Sequence, residues 1–352
     1  MGIANKTRII VTATINNLYH LDMNLPLLLK NLPGCLIFFA FLSGCHTPVK
    51  PGTYANDKIP PSQANNFHDL NKQLFEGLKA NSKKQLSGLL SKEMIDNNSN
   101  LKDIELVSNH MKEGDFTLQE EYYLVKRKPG KDTLKIGSKD INNHKIGVNI
   151  DQPETYLAFF GQKGIANGQM VTLVYKKLDY GWKLTDLEID PYSINGKTAP
   201  ELFKQAKDDY AKGYLVNAVN LMAEARTTSQ PYISWVYPEE KQINGFYAKV
   251  LNAANRKYRF PYTINVATQP QIINLQTHTT PEGVFPQVFY RSNIRLTNTA
   301  GLLKENLQVR KALATALPGI NKGNKYVFYS VFNKLPNSYE SVDRYEVTDT
   351  IK

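Results

Sequence analysis

The sequence predicts an α+β protein, and three observations carry that prediction. Apolar residues first recur at spacings of three and four, as on one face of a helix. From residue 116 the period changes to two, with turn residues between the runs. After residue 196 both patterns return, in a second and more basic stretch.

The elements follow in order. Phe67, Leu70, Leu74 and Leu78 form the apolar stripe of a helix within residues 67–90. Asn81-Ser82 can end it and cap a second short helix carrying Leu86, Leu89 and Leu90. The polar run Asn97-Asn98-Ser99-Asn100 caps a third over residues 101–111. Strands are expected at 116–126, 133–136, 145–150, 155–160, 170–178 and 182–189, with turns at Pro129-Gly130 and Asp179-Tyr180-Gly181. Gly161, Gly164 and Gly168 belong to a hairpin loop; the spacing lacks the strand-then-helix context of a phosphate cradle. Pro200 opens a helix at its first turn, where a missing N–H does no harm. A helix over 239–255 precedes strands at 262–266, 271–277 and 284–290. A helix over 300–317 stops at Pro318-Gly319. Strands at 326–332 and 345–347 follow. Tyr326-Val327-Phe328-Tyr329-Ser330-Val331-Phe332 is aromatic or β-branched nearly throughout, which predicts an interior strand.

At the N-terminal end, Lys30 precedes the apolar run Leu36-Ile37-Phe38-Phe39-Ala40-Phe41, which closes on Leu42-Ser43-Gly44-Cys45. The run is too short to span a bilayer, which takes about 20 apolar residues. It gives way to the linker-like His46-Thr47-Pro48-Val49-Lys50-Pro51-Gly52. This arrangement resembles a bacterial lipoprotein signal peptide with its lipobox. The resemblance implies cleavage before Cys45, a diacylglyceryl group on its sulfur and a further acyl chain such as palmitate on the new amino terminus. His46 rather than Asp after the cysteine implies export to the outer membrane of a Gram-negative cell. Residues 1–44 are then a signal peptide, with Met23 the more ordinary start, and 45–65 a lipidated linker. Cys35 leaves with the signal peptide, so the mature chain holds no free thiol or disulfide.

The remaining 308 residues suit two domains better than one. Helices followed by a meander, ending in Val171-Thr172-Leu173-Val174-Tyr175 and Gly181-Trp182-Lys183-Leu184, resemble the NTF2-like superfamily. That resemblance covers residues 66–196 and implies a cone of curved antiparallel sheet wrapped on helices. Tyr210, Gly213, Ala218, Ala225 and Pro231 fall near tetratricopeptide-repeat spacing. With no second copy, residues 198–230 read as a single helical hairpin connector. Residues 231–352 form a second, smaller, basic α+β domain.

Charge separates the halves. Residues 66–195 hold 18 basic and 18 acidic side chains, whereas residues 196–352 hold 20 and 12. The basic surplus includes Arg256-Lys257/Arg259, Arg291/Arg295 and Arg310-Lys311. With an envelope address it points to an envelope protein or an anionic envelope polymer as partner, and not to nucleic acid.

No catalytic motif stands out, and no cofactor is expected. The six histidines, His20, His46, His68, His110, His144 and His278, show no zinc-ligand spacing. There is no Gly-x-Ser-x-Gly elbow. Two carboxylate pairs on expected strands remain, Glu120-Glu121 and Asp186/Glu188. At strict period two, Trp182, Leu184 and Asp186 share one face while Leu187 and Ile189 share the other. Enzymes of the NTF2-like superfamily place an acid with a His or Tyr in the cone. The leading expectation is nevertheless a non-catalytic envelope lipoprotein acting as a binding or assembly module. The alternative is an enzyme with Asp186 or Glu188 as general base and a nearby Tyr as donor.

Overall fold

A computed structural model describes residues 49–136, 141–335 and 342–351. The lipobox, Cys45 and the signal segment 1–44 lie outside the described residues. Residues 49–352 cluster as one unit by their internal contacts.

The expected linker is partly structured: β1 (Gly52–Ala55) pairs antiparallel with β2 (Phe116–Val125). α1 (Pro61–Lys79) starts on a proline and buries Phe67, Leu74 and Leu78. α2 (Lys83–Leu89) and α3 (Lys92–Asp96) are each capped by a serine, Ser82 and Ser91, whose side chain accepts a backbone N–H. α3 is an addition to the sequence reading: five residues are too few to show a period. α4 (Asn98–His110) completes the helical layer.

The meander then runs β2 (Phe116–Val125), β3 (Gly130–Ile136), β4 (His144–Ile150), β5 (Glu154–Gln162), β6 (Gln169–Leu178) and β7 (Gly181–Pro191). These strands form two sheets. One has the order β1-β2-β5-β6-β7 and is antiparallel throughout. The β3-β4 hairpin leaves it and forms a small sheet with β8 (Trp235–Val236). α5 (Ala199–Ala211) begins in a Thr198/Glu201 capping box, and α6 (Leu215–Thr227) packs against it. α7 is Glu240–Lys257.

The last sheet has the order β13-β12-β11-β10-β9, with β9 (Tyr262–Thr263), β10 (Gln271–Thr280), β11 (Gly283–Arg291), β12 (Tyr326–Phe332) and β13 (Arg344–Thr350). α8 (Thr299–Ala316) joins β11 to β12, which pair in parallel as a helical crossover requires. β12 lies between two strands, as its unbroken apolar run predicts.

Three apolar clusters hold these layers. One lies between the first sheet and α1–α4, around Phe67, Leu74, Leu78, Tyr156 and Leu173. A second fills the other face of that sheet: Phe159, Leu157 and Met170 meet Ile146 and Val148 of β4, Trp235 of β8, and Phe203 and Met222 of the α5–α6 hairpin. The third packs α8 on the last sheet and takes in Leu215 and Val216 of α6. The hairpin therefore supplies apolar surface to two cores. Asn195 adds a polar tie. Its side-chain amide accepts from Val284 N at 2.7 Å and donates to Val284 O at 2.9 Å. Gly283 sits here at φ +142°, and a Cβ on it would lie 2.2 Å from Asn195 Oδ1, so only glycine fits.

Candidate functional site

β7 is the edge strand of the first sheet, and a bulge decides which side chains it shows to which layer. Tyr175 of β6 pairs with Leu184 whereas Val174 pairs with Asp186, so Thr185 is the extra residue. The bulge moves everything beyond it by one position. Leu184, Leu187, Trp182 and Ile189 all join the helical side. Asp186, Glu188 and Asp190 fall together on the opposite side, across from Val174, Thr172 and Met170. Strict alternation had set Trp182 and Leu184 beside Asp186 and apart from Leu187 and Ile189. The bulge resolves that contradiction, and all four apolar residues face one core.

The acidic row opens into two clefts. The larger, of about 640 Å³, takes in Asp186, Thr185, Val174 and Lys176 from the sheet, Val148 and Asn149 from β4, Lys92 and Tyr180 at its rim, and Tyr232. The smaller, of about 360 Å³, takes in Leu187, Glu188, Ile189 and Asp190 together with Asp103 and Leu106 of α4 and Gln230 and Ile233. The segment 230–233 contributes to both, and Ile233 N donates to Glu188 Oε2 at 3.1 Å.

Burial dominates the electrostatics. It pushes the Glu188 carboxyl up to about 7, helped by Asp186, Asp190 and Asp103 and opposed by the Ile233 hydrogen bond. Asp186 is raised by burial and lowered by the Leu187 N–H and by Lys176, the burial effect being larger. Asp190 is raised by burial and by Asp103. The Tyr232 hydroxyl is raised by burial and by the charges of Asp186 and Glu188, and it lines the larger cleft with Asp186. Lys176 is engaged elsewhere, with Asp151 at 2.8 Å. Among the described residues, Asp103, Asp186, Glu188 and Asp190 form no ion pair.

The other expected pair, Glu120-Glu121, is split across the sheet, as neighbours on a strand must be. Glu120 Oε2 accepts from Tyr122 OH at 2.8 Å and lies 3.3 Å from His144 Nε2. His144 is buried, stacks on Trp235 at 3.5 Å and uses Nδ1 on the Asn142 carbonyl. Glu121, also buried, accepts from Tyr156 OH at 2.7 Å and holds His68 Nε2 at 3.0 Å from both oxygens. Asn71 donates to Tyr156 at 2.9 Å. Each carboxylate thus has one Tyr and one His. The hydrogen bonds of these constellations join residues as far as 85 positions apart, which no local spacing shows. The Glu121 group reads as an internal hydrogen-bond network that satisfies a buried acid, with His68 at its exposed end, whereas Glu120 is only partly buried.

Among the described residues no three His, Cys, Asp or Glu side chains converge as a metal-binding set. No described helix is long and apolar enough to cross a membrane. Comparison of the chain with protein-family models, curated proteins and solved structures finds no match.

Proposed function

We propose that this chain is a membrane-anchored cell-envelope lipoprotein that acts as a non-catalytic binding or assembly module. Lipid on Cys45 is the anchor, and the clefts along β7 take up a cationic partner. The carrying observation is the row Asp186, Glu188 and Asp190: three partly desolvated carboxylates that form no ion pair among the described residues, on the edge strand of a sheet. Such a row is a standing electrostatic cost that a bound cation removes. An NTF2-like fold for residues 66–196 is supported by helices on one face of an antiparallel sheet bent by bulges at Gln119 and Thr185.

Two measurements test the reading. Cys45→Ala is expected to leave folding unchanged and move the protein from the membrane to the soluble fraction; retention at the membrane would refute the anchor. Lysine amide is expected to bind, about tenfold more weakly to Asp186→Asn, with affinity rising from pH 6 to pH 8 as Glu188 loses its proton. Calorimetry that finds no binding, or binding indifferent to this substitution, would count against the cleft.

A second reading has one observation in its favour. A carboxyl pushed up by burial to about 7 suits a general base, which makes Glu188 the base of a small-molecule enzyme, with Tyr232, whose hydroxyl feels its charge, as the hydrogen-bond donor. It requires a substrate whose turnover rate follows the ionisation of Glu188.

A further inference from the structure

We propose that the free edge of β7, along residues 187–190, takes up an extended peptide segment of alternating basic and apolar residues as an added strand. This rests on the reading of the chain as a binding or assembly module and names the kind of partner.

The edge itself is the first observation. β7 ends its sheet, so half of its backbone N–H and C=O groups face away from β6. Near its start the edge is closed: Ser91 N donates to Leu184 O at 2.9 Å, and Leu90 bridges Leu184. Among the described residues, no backbone–backbone hydrogen bond from outside β6 reaches residues 187–190, and Ile233 N reaches only the Glu188 side chain.

The shape of the smaller cleft is the second. Leu187, Glu188, Ile189 and Asp190 all line it. Consecutive strand residues point to opposite faces, so a groove that touches four in a row runs along the strand edge. α4 forms one wall through Asp103 and Leu106, and the segment after α6 forms the other through Gln230 and Ile233. Leu106 and Ile233 are 46% and 69% exposed, large apolar side chains left in water beside the free strand edge.

Charge selects the occupant. Among the described residues, the groove holds Asp103, Glu188 and Asp190 and no basic side chain. A second copy of β7 would set carboxylate against carboxylate, which disfavours edge-to-edge pairing of two copies. An added strand with Lys or Arg at every second position places its cations beside Glu188 and Asp190. Its intervening apolar side chains then lie on the side of Leu187, Ile189 and Leu106. Backbone pairing supplies the affinity and the alternating side chains the selectivity.

The test is fluorescence anisotropy of the full chain, at physiological ionic strength, with labelled acetyl-Lys-Val-Lys-Val-Lys-Val-amide. Saturable binding is expected, weakened at least about tenfold in Glu188→Gln/Asp190→Asn and in a peptide N-methylated at its valines, which keeps its charges but loses backbone donors. A Glu-Val peptide of the same length should not bind. Equal binding of the N-methylated peptide would overturn strand addition in favour of charge adsorption, and absence of binding by the Lys-Val peptide would overturn the surface altogether. If lysine amide still binds at Asp186 when the peptide fails, the strand proposal falls and the binding-module reading stands. If both fail, that reading falls as well.

Discussion

Phe67→Ala is expected to lower stability by about 3–5 kcal/mol, the range for truncating a fully buried aromatic residue. Phe67 is completely buried on α1. Its ring stacks on Tyr156 at 4.0 Å with planes 10° apart, and meets Trp182 and Tyr123 edge-on at 4.9 and 5.2 Å. One side chain therefore couples the helical layer to β2, β5 and β7. Truncation removes the transferred area, adds a cavity, and loosens Tyr156, whose hydroxyl serves Glu121. Phe67→Leu keeps most of the volume and should cost less than half as much. Urea unfolding followed by tryptophan fluorescence and by far-ultraviolet circular dichroism measures both. A loss below about 1 kcal/mol for the alanine variant would mean that this cluster does not close the layer.

Much of this architecture is legible in the sequence, and the misses share physical causes. Phe67, Leu74 and Leu78 declare α1 because a period of three to four has no other cheap reading. Tyr326–Phe332 announces an interior strand because every residue but Ser330 is bulky and apolar or aromatic enough to need cover on both faces. β1 escapes because four residues in a proline-flanked segment carry no period and gain their stability from pairing with β2. The departure of β3 and β4 from the main sheet is likewise invisible, since alternation shows that a strand exists and not which strand it joins. At the candidate site, Asp186 and Glu188 are visible as carboxylates of one face, but the side they face depends on the single extra residue Thr185. A hint was present: Trp182 and Leu184 alternate out of step with Leu187 and Ile189, and an apolar phase slip of one residue in a strand is what a bulge produces. Tyr232 and Ile233 could not be read at all, being brought to the acidic row from beyond the α5–α6 hairpin.

Glu224→Gln is expected to make the protein more stable at high pH than at low pH relative to wild type. Glu224 lies on α6 with 7% exposure, and its Oε2 has no hydrogen-bond partner among the described residues. It lines a polar void of about 20 Å³ with Asn195, Lys197, Asn217 and Asn220, room for a single water. Burial pushes its carboxyl up to about 8 despite the opposing charge of Lys197. In the unfolded chain the same group titrates near 4.5. Below the lower value both states hold the proton and the group is neutral in its effect. Between the two values the unfolded chain ionises while the folded one keeps its proton, so each pH unit favours unfolding. Above about 8 the penalty is complete, at about 3–5 kcal/mol by linkage. Glutamine keeps the shape and has nothing to ionise. Thermal midpoints of the two proteins should therefore diverge from pH 5 to pH 9, with wild type falling further. Parallel curves would place the Glu224 carboxylate in contact with water or a cation in the folded state.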